Sequence, residues 1–231
     1  MSLYAIGDLH FSTLVEKPMN IFGDKWDKHE EKIISSWKDN VKEDDVVLVL
    51  GDTSWGINLT EAKPDLDIIS NLCGNKIFIK GNHDYWWTTV TNLNKLYDNM
   101  KFLQTNFYEY GEYAICGGRG WICPNDFKFD DNDEKIYKRE LIRMKASLDK
   151  ARAEAKDEDA QIIAAVHYPP VSKPSAFSGF QQLFEDYGVK RVIYGHIHGE
   201  DGFRNAVKGL HHGVEYSLVS LDYLDCMPLK I

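Results

Sequence analysis

The run Val46-Val47-Leu48-Val49-Leu50 constrains the fold more than any other stretch of the chain. Successive side chains of a strand point to opposite faces, so five apolar residues in a row leave no face for water. Strands of this kind belong to parallel sheets covered on both sides. Shorter apolar runs at residues 3–6, 76–79, 161–166 and 191–194 read the same way. Helical spacing alternates with them. Residues 28–40 place Ile33, Ile34 and Trp37 on one face, and residues 60–72 open with capping-type chemistry at Thr60. Residues 88–98, 133–156 and 177–187 have helical spacing as well. Strand alternating with helix predicts an α/β fold. Residues 11–27 read as irregular, and residues 101–118 as short strands. A loop covers 119–133, and two closing strands are joined by Gly209-Leu210-His211-His212-Gly213. No repeat or shift of composition marks a boundary, so one domain over residues 1–231 is expected.

The chain has 231 residues, 43% of them hydrophobic, enough for a sizeable core. Its formal net charge is −9, from 27 basic and 36 acidic residues. A surface this acidic does not draw in a phosphate backbone, so a long nucleic-acid partner is not expected. The four cysteines, Cys73, Cys116, Cys123 and Cys226, form no C-x-x-C pair and are expected as reduced thiols in a cytoplasmic protein. The first residues show neither a basic segment nor a cleavage site, and no apolar run reaches the ~18–20 residues of a membrane span.

The chemistry lies where the strands end. Asp8 and His10 follow the first, Asp52 the second, and Asn82 and His83 the third. His167 follows the strand at 161–166, and His196 and His198 the strand at 191–194. Sites in open α/β sheets form at the carboxyl ends of strands, which is where all of these residues fall. Glycines at 7, 51, 81 and 195 precede four of the five clusters. In Gly195-His196-Ile197-His198 the two imidazoles share one side of an extended chain. Mixed imidazole and oxygen donors suit Mn, Fe, Zn or Ni better than Ca.

The ordered set Asp-x-His, Gly-Asp, Gly-Asn-His-Asp, a lone His after a strand, and Gly-His-x-His resembles the calcineurin-like metallophosphoesterase superfamily over residues 7–198. The resemblance implies a four-layer α-β-β-α sandwich and two divalent metal ions, Mn favoured. Asp8, His10 and His198 would hold one ion, and Asn82, His167 and His196 the other. Asp52 would bridge them, and His83 would be the catalytic histidine. It implies hydrolysis of a small phosphomonoester or phosphodiester, with a metal-bridging hydroxide as nucleophile. Two other functions share the motifs: a nuclease or cyclic-nucleotide diesterase using the same site, and a binding scaffold that has kept the fold without the chemistry. The scaffold fits poorly with a full set of ligands and His83.

Several residues keep two readings. Asp84 orients the His83 ring as a catalytic partner, or caps the helix after it. Arg119, in Gly117-Gly118-Arg119-Gly120-Trp121, binds substrate phosphate or forms a surface salt bridge. Trp55, Tyr85, Trp86, Trp87 and Trp121 are core aromatics or the walls of a cleft. His211 and His212 read as a surface turn. The loops at 11–27, 53–60, 119–133 and 171–180 are expected to decide the substrate.

Overall fold

Each apolar run forms a strand of a parallel-rich sheet. The structure is a computed structural model that describes residues 1–124, 126, 128–157, 159–173 and 176–231. Parts of two expected substrate loops, at 125, 127, 174 and 175, lie outside the described residues. The contacts divide the chain into two units, Met1–Phe102 with Val219–Ile231, and Leu103–Leu218.

In the first unit, β1 (Leu3–Ile6) is followed by α1 (His29–Asn40), β2 (Val46–Val49), α2 (Leu59–Ser70), β3 (Asn75–Ile79), α3 (Val90–Leu93) and β4 (Met100–Leu103). Residues 19–22 and 24–26 form short 3₁₀ turns inside the stretch expected to be irregular. β1, β2 and β3 run parallel in the register Ile6, Val49, Phe78, so their carboxyl ends lie side by side. Val47 and Val49 bury against Ile33 and Trp37 of α1 and Leu66 and Ile69 of α2. Leu48 between them is equally inaccessible, as a strand buried on both faces requires.

The second unit holds β5 (Phe107–Tyr110), β6 (Tyr113–Gly118), α4 (Asp131–Glu154), β7 (Gln161–Val166), α5 (Gly179–Asp186), β8 (Arg191–Tyr194), α6 (Gly199–Asn205), β9 (Gly209–His211) and β10 (Val214–Leu218). β11 (Leu229–Lys230) returns to pair antiparallel with β1 in the first unit. The two sheet orders are β11-β1-β2-β3-β4 and β5-β6-β7-β8-β10-β9, with β6, β7, β8 and β10 parallel. Tyr137, Met144, Leu148 and Ala151 of α4 pack into the core with Cys116, Ala164 and Val192. The acidic run before α4 caps it: the Asp130 carboxylate accepts from the Asp133 N–H, and Asp133 accepts from the Asp130 N–H.

Three expectations need correction. The helix expected over 88–98 is a single turn, Val90–Leu93. The Asn94 side chain accepts the Phe102 N–H, and the Tyr97 hydroxyl bonds Asp67, so the apolar spacing there marks burial in a folded loop. The helix cap before α2 is Asn58 rather than Thr60, and its side chain accepts the Glu61 N–H. Three of the five residues of the connection expected at 209–213 are strand, and only His212-Gly213 turns.

Burial gives this core a pH dependence. Cys116 is fully enclosed on β6, and desolvation pushes its thiol up to about 12, against a contact with Ser147 that pulls the other way. A folded value above the unfolded one, about 8.5, adds stability below pH ~8.5 that is lost as pH rises toward 12. At about pH 10 this residue alone costs roughly 2 kcal/mol. Urea unfolding should show the wild-type protein losing about that much more than Cys116→Ala between about pH 7.5 and about pH 10. Equal losses in the two proteins refute this assignment.

Candidate functional site

The loops after β1 and β2 run side by side and carry three of the expected ligands. Asp8 N–H donates to Gly51 O at 3.0 Å, His10 N–H to Asp52 O at 2.9 Å, and Phe11 N–H to Thr53 O at 3.0 Å. Trp55 N–H closes the ladder on Phe11 O at 2.9 Å. The backbone at Asp8, His10 and Asp52 is left-handed, with φ of 60°, 48° and 49°. Non-glycine residues take that conformation at a cost, and such positions concentrate at functional sites. All three side chains are buried, and His10 Nε2 lies 3.8 Å from Asp52 Oδ2.

The third loop closes on the same aspartate. His83 N–H donates to Asp52 Oδ1 at 2.8 Å. Gly81 must be glycine, because a Cβ there would stand 2.1 Å from both the nitrogen and Oδ1 of Asp52. Asp84, fully buried, ties the loops together. Its carboxylate accepts from Gly81 N at 2.7 Å, Thr53 N at 2.8 Å, Asp52 N at 2.9 Å and Trp86 Nε1 at 3.0 Å. Burial first, and then the Asp52 charge, push the Asp84 carboxyl up to about 7, while the N–H donors pull it down. None of these bonds reaches the His83 ring, and the cap of α3 is Thr89 rather than Asp84. The His83 ring instead packs against Trp55, at 4.5 Å between centroids, and Tyr85, at 6.3 Å. Trp55 also stacks on His10 at 4.8 Å.

In the second unit, parallel pairing of β7 with β8 brings His167 beside His196. His167 N–H and Tyr168 N–H both donate to Arg119 O, and Gly195 N–H donates to His167 O at 3.1 Å. His196 Nδ1 and His167 Nε2 are 3.2 Å apart, so one nitrogen of each ring addresses the same point. His196 is left-handed too, at φ 70°. His198 is the exposed first-turn boundary of α6, and its ring makes no capping bond.

Arg119 forms a salt bridge, though a buried one rather than one at the surface. Its guanidinium lies 4.3 Å from the Trp121 ring centroid and 3.3 Å from Glu140 Oε1, with only 16% of the side chain exposed. It makes a buried ion pair, shared with Arg143 at 2.8 Å, and desolvation lowers its pKa while Glu140 raises it. Of the five aromatics, Trp86 and Trp87 are core, Tyr85 is exposed, and Trp55 and Trp121 are half-buried. His211 and His212 belong to no donor group among the described residues. Sequence reasoning passed over Tyr168, whose ring lies 4.2 Å from that of His196. Its place directly after a candidate ligand was the available signal.

Candidate ligands for divalent metal thus end strands in both parallel-rich sheets, the arrangement of an α/β metal-binding enzyme class. The chain belongs to the calcineurin-like phosphoesterase family, whose model matches residues 1–200. No curated protein matches the chain. Among solved structures, phosphopantetheinyl hydrolase from Mycobacterium tuberculosis is similar at 15% identity and a TM-score of 0.61, covering 100% of this chain and 95% of that one. A Thermus thermophilus protein aligns at 13% identity and a TM-score of 0.57, covering 99% and 97%. An Aquifex aeolicus protein of unknown function aligns at 17% and 0.53, covering 99% and 95%. Identities this low show a common fold, the two helix-flanked sheets of the metallophosphoesterase sandwich. No helix among the described residues is long and apolar enough to cross a membrane.

Proposed function

We propose that this chain is a dinuclear metal-dependent phosphoesterase acting on a small phosphoester. The observation that carries the reading is the set Asp8, His10 and Asp52, buried in left-handed loops at neighbouring strand ends. Carboxylates that deep are paired or coordinate metal. The nitrogens of His167 and His196, converging within 3.2 Å, fit the same use. Asp8, His10 and His198 would hold one ion, Asn82, His167 and His196 the second, with Asp52 shared between them. Manganese, or iron, zinc or nickel, suits this mixture of donors.

Two such ions, when bound, supply positive charge at the phosphoryl oxygens and lower the pKa of water. The chain's own groups do the rest. The His83 N–H fixes the orientation of the Asp52 carboxylate through one of its oxygens. The His83 ring, held by Trp55, donates a proton to the departing oxygen. Trp55, covering one side of both His10 and His83, keeps bulk water from those rings. Asp84 is a positioning residue, acting on Asp52 through the backbone.

The purified protein with Mn²⁺ should hydrolyse p-nitrophenyl phosphate or its bis-ester and contain about two divalent ions per chain. Chelation should lower the rate on the order of 10³-fold, and added Mn²⁺ should restore it. Absence of turnover with each of Mn, Fe, Zn and Ni, or turnover indifferent to chelator, would sink the reading.

A further inference from the structure

A pocket of about 320 Å³ opens in the second unit against the His196 ring. That is the small end of the range for small-molecule sites, ~300–1,000 Å³. Tyr168 and Ile197 give it apolar walls. Its polar groups are Ser172, Asp126 and Asn205. The Ser172 hydroxyl is buried and has no hydrogen-bond partner among the described residues, which a ligand would cure. Asn205 donates its amide to Asp201 O at 2.9 Å and keeps its carbonyl oxygen as an acceptor. Asp126 takes the Lys128 N–H on Oδ1 and has a second oxygen to offer. No lysine or arginine is among the described lining residues. The pocket is thus rich in acceptors and has no cation to receive a second anionic group.

We propose that this pocket receives the organic arm of the phosphoester, and that the arm is uncharged, partly apolar and carries N–H or O–H donors. The proposal rests on the phosphoesterase reading, with His196, which lines the pocket, joining the two. It places substrate selection on Asp126, Tyr168, Ser172, Ile197 and Asn205.

Three diesters with the same p-nitrophenolate leaving group separate the arm from the chemistry. In each, water adds its oxygen to phosphorus, the aryl P–O bond breaks, nitrophenolate leaves and the water proton passes to solvent. The second ester group is methyl, a carboxyalkyl chain, or thymidine joined through its primary hydroxyl, which has apolar faces and N–H and O–H donors. The thymidine ester should exceed the methyl ester at least about tenfold in kcat/KM, and the carboxyalkyl ester should show no gain. Asn205→Trp, at the exposed end of α6, fills the pocket and should cut the thymidine-to-methyl ratio about tenfold. Ser172→Ala should cut it about fivefold, the size of one hydrogen bond. Free thymidine should raise the Tm of the wild-type protein and not that of Asn205→Trp. Turnover with equal kcat/KM for the thymidine and methyl esters, or ratios unmoved by both variants, overturns this proposal and leaves the phosphoesterase reading standing. Absence of turnover of all three overturns this proposal, and the phosphoesterase reading falls with it only if p-nitrophenyl phosphate is not hydrolysed either.

Discussion

Asp52→Asn should abolish turnover, by on the order of 10³-fold or more, while leaving the protein at least as stable as before. The amide keeps the shape of the side chain and an oxygen to accept the His83 N–H now 2.8 Å away. It loses the charge that offsets two dications. Metal ions contribute several kcal/mol of transition-state stabilisation, and about 4 kcal/mol corresponds to about 10³ in rate. Stability moves the other way. Asp52 stands beside the buried Asp84 and its charge works against that carboxylate, so neutralising it removes a repulsion. Paired measurements decide the matter: kcat and metal content on one side, urea unfolding of the metal-free protein on the other. Turnover within tenfold of wild type would remove Asp52 from the centre of the site. Loss of activity together with unfolding would make it merely structural.

Asp84→Ala should have the opposite profile, with a large loss of stability and activity falling as a consequence. The alanine strands the N–H groups of Gly81, Thr53 and Asp52 and the indole of Trp86, all at buried positions. Each stranded donor costs about 1–3 kcal/mol, and shared relaxation brings the expected total to about 3–5 kcal/mol. That is a large part of the ~5–15 kcal/mol that holds a domain folded. Because the Asp52 N–H is one of these donors, metal affinity should fall about 10–100-fold, as for a residue that orients a ligand from behind. Asp84→Asn keeps an acceptor and should recover part of both losses. A variant as stable as wild type, with weakened metal binding unrelieved by asparagine, would contradict this account.

The expected strands at 3–6, 161–166 and 191–194 match β1, β7 and β8 to the residue, because an apolar run bounded by glycine or histidine has one physical solution. The strand-end residues were legible for the same reason. The failures share a cause as well. Residues 88–98 have helical spacing, yet Asn92, Asn94 and Asp98 favour turns, and the side-chain bonds of Asn94 and Tyr97 decided the outcome. α6 begins at a glycine and contains another, so its sequence carried little helical signal. The role of Asp84 was illegible because its partners Asp52 and Thr53 lie more than thirty residues back. Glu140 of α4 is buried against Arg119 and Arg143, and its distant partner Arg119 lies too far back in the chain for the local sequence to mark the pair.

Among the described residues, eight that are not glycine have left-handed backbone, and four of those are Asp8, His10, Asp52 and His196. Glycine would relieve about 1 kcal/mol at each. A directed-evolution campaign scored on melting temperature alone, run in chelator, would enrich glycine codons at these positions and return a sturdier, inert protein. In metal-rich medium the same campaign would retain the donors, because an ion bound only by the folded chain adds to its stability. The composition of the selection medium therefore decides whether improved robustness preserves the site or erases it.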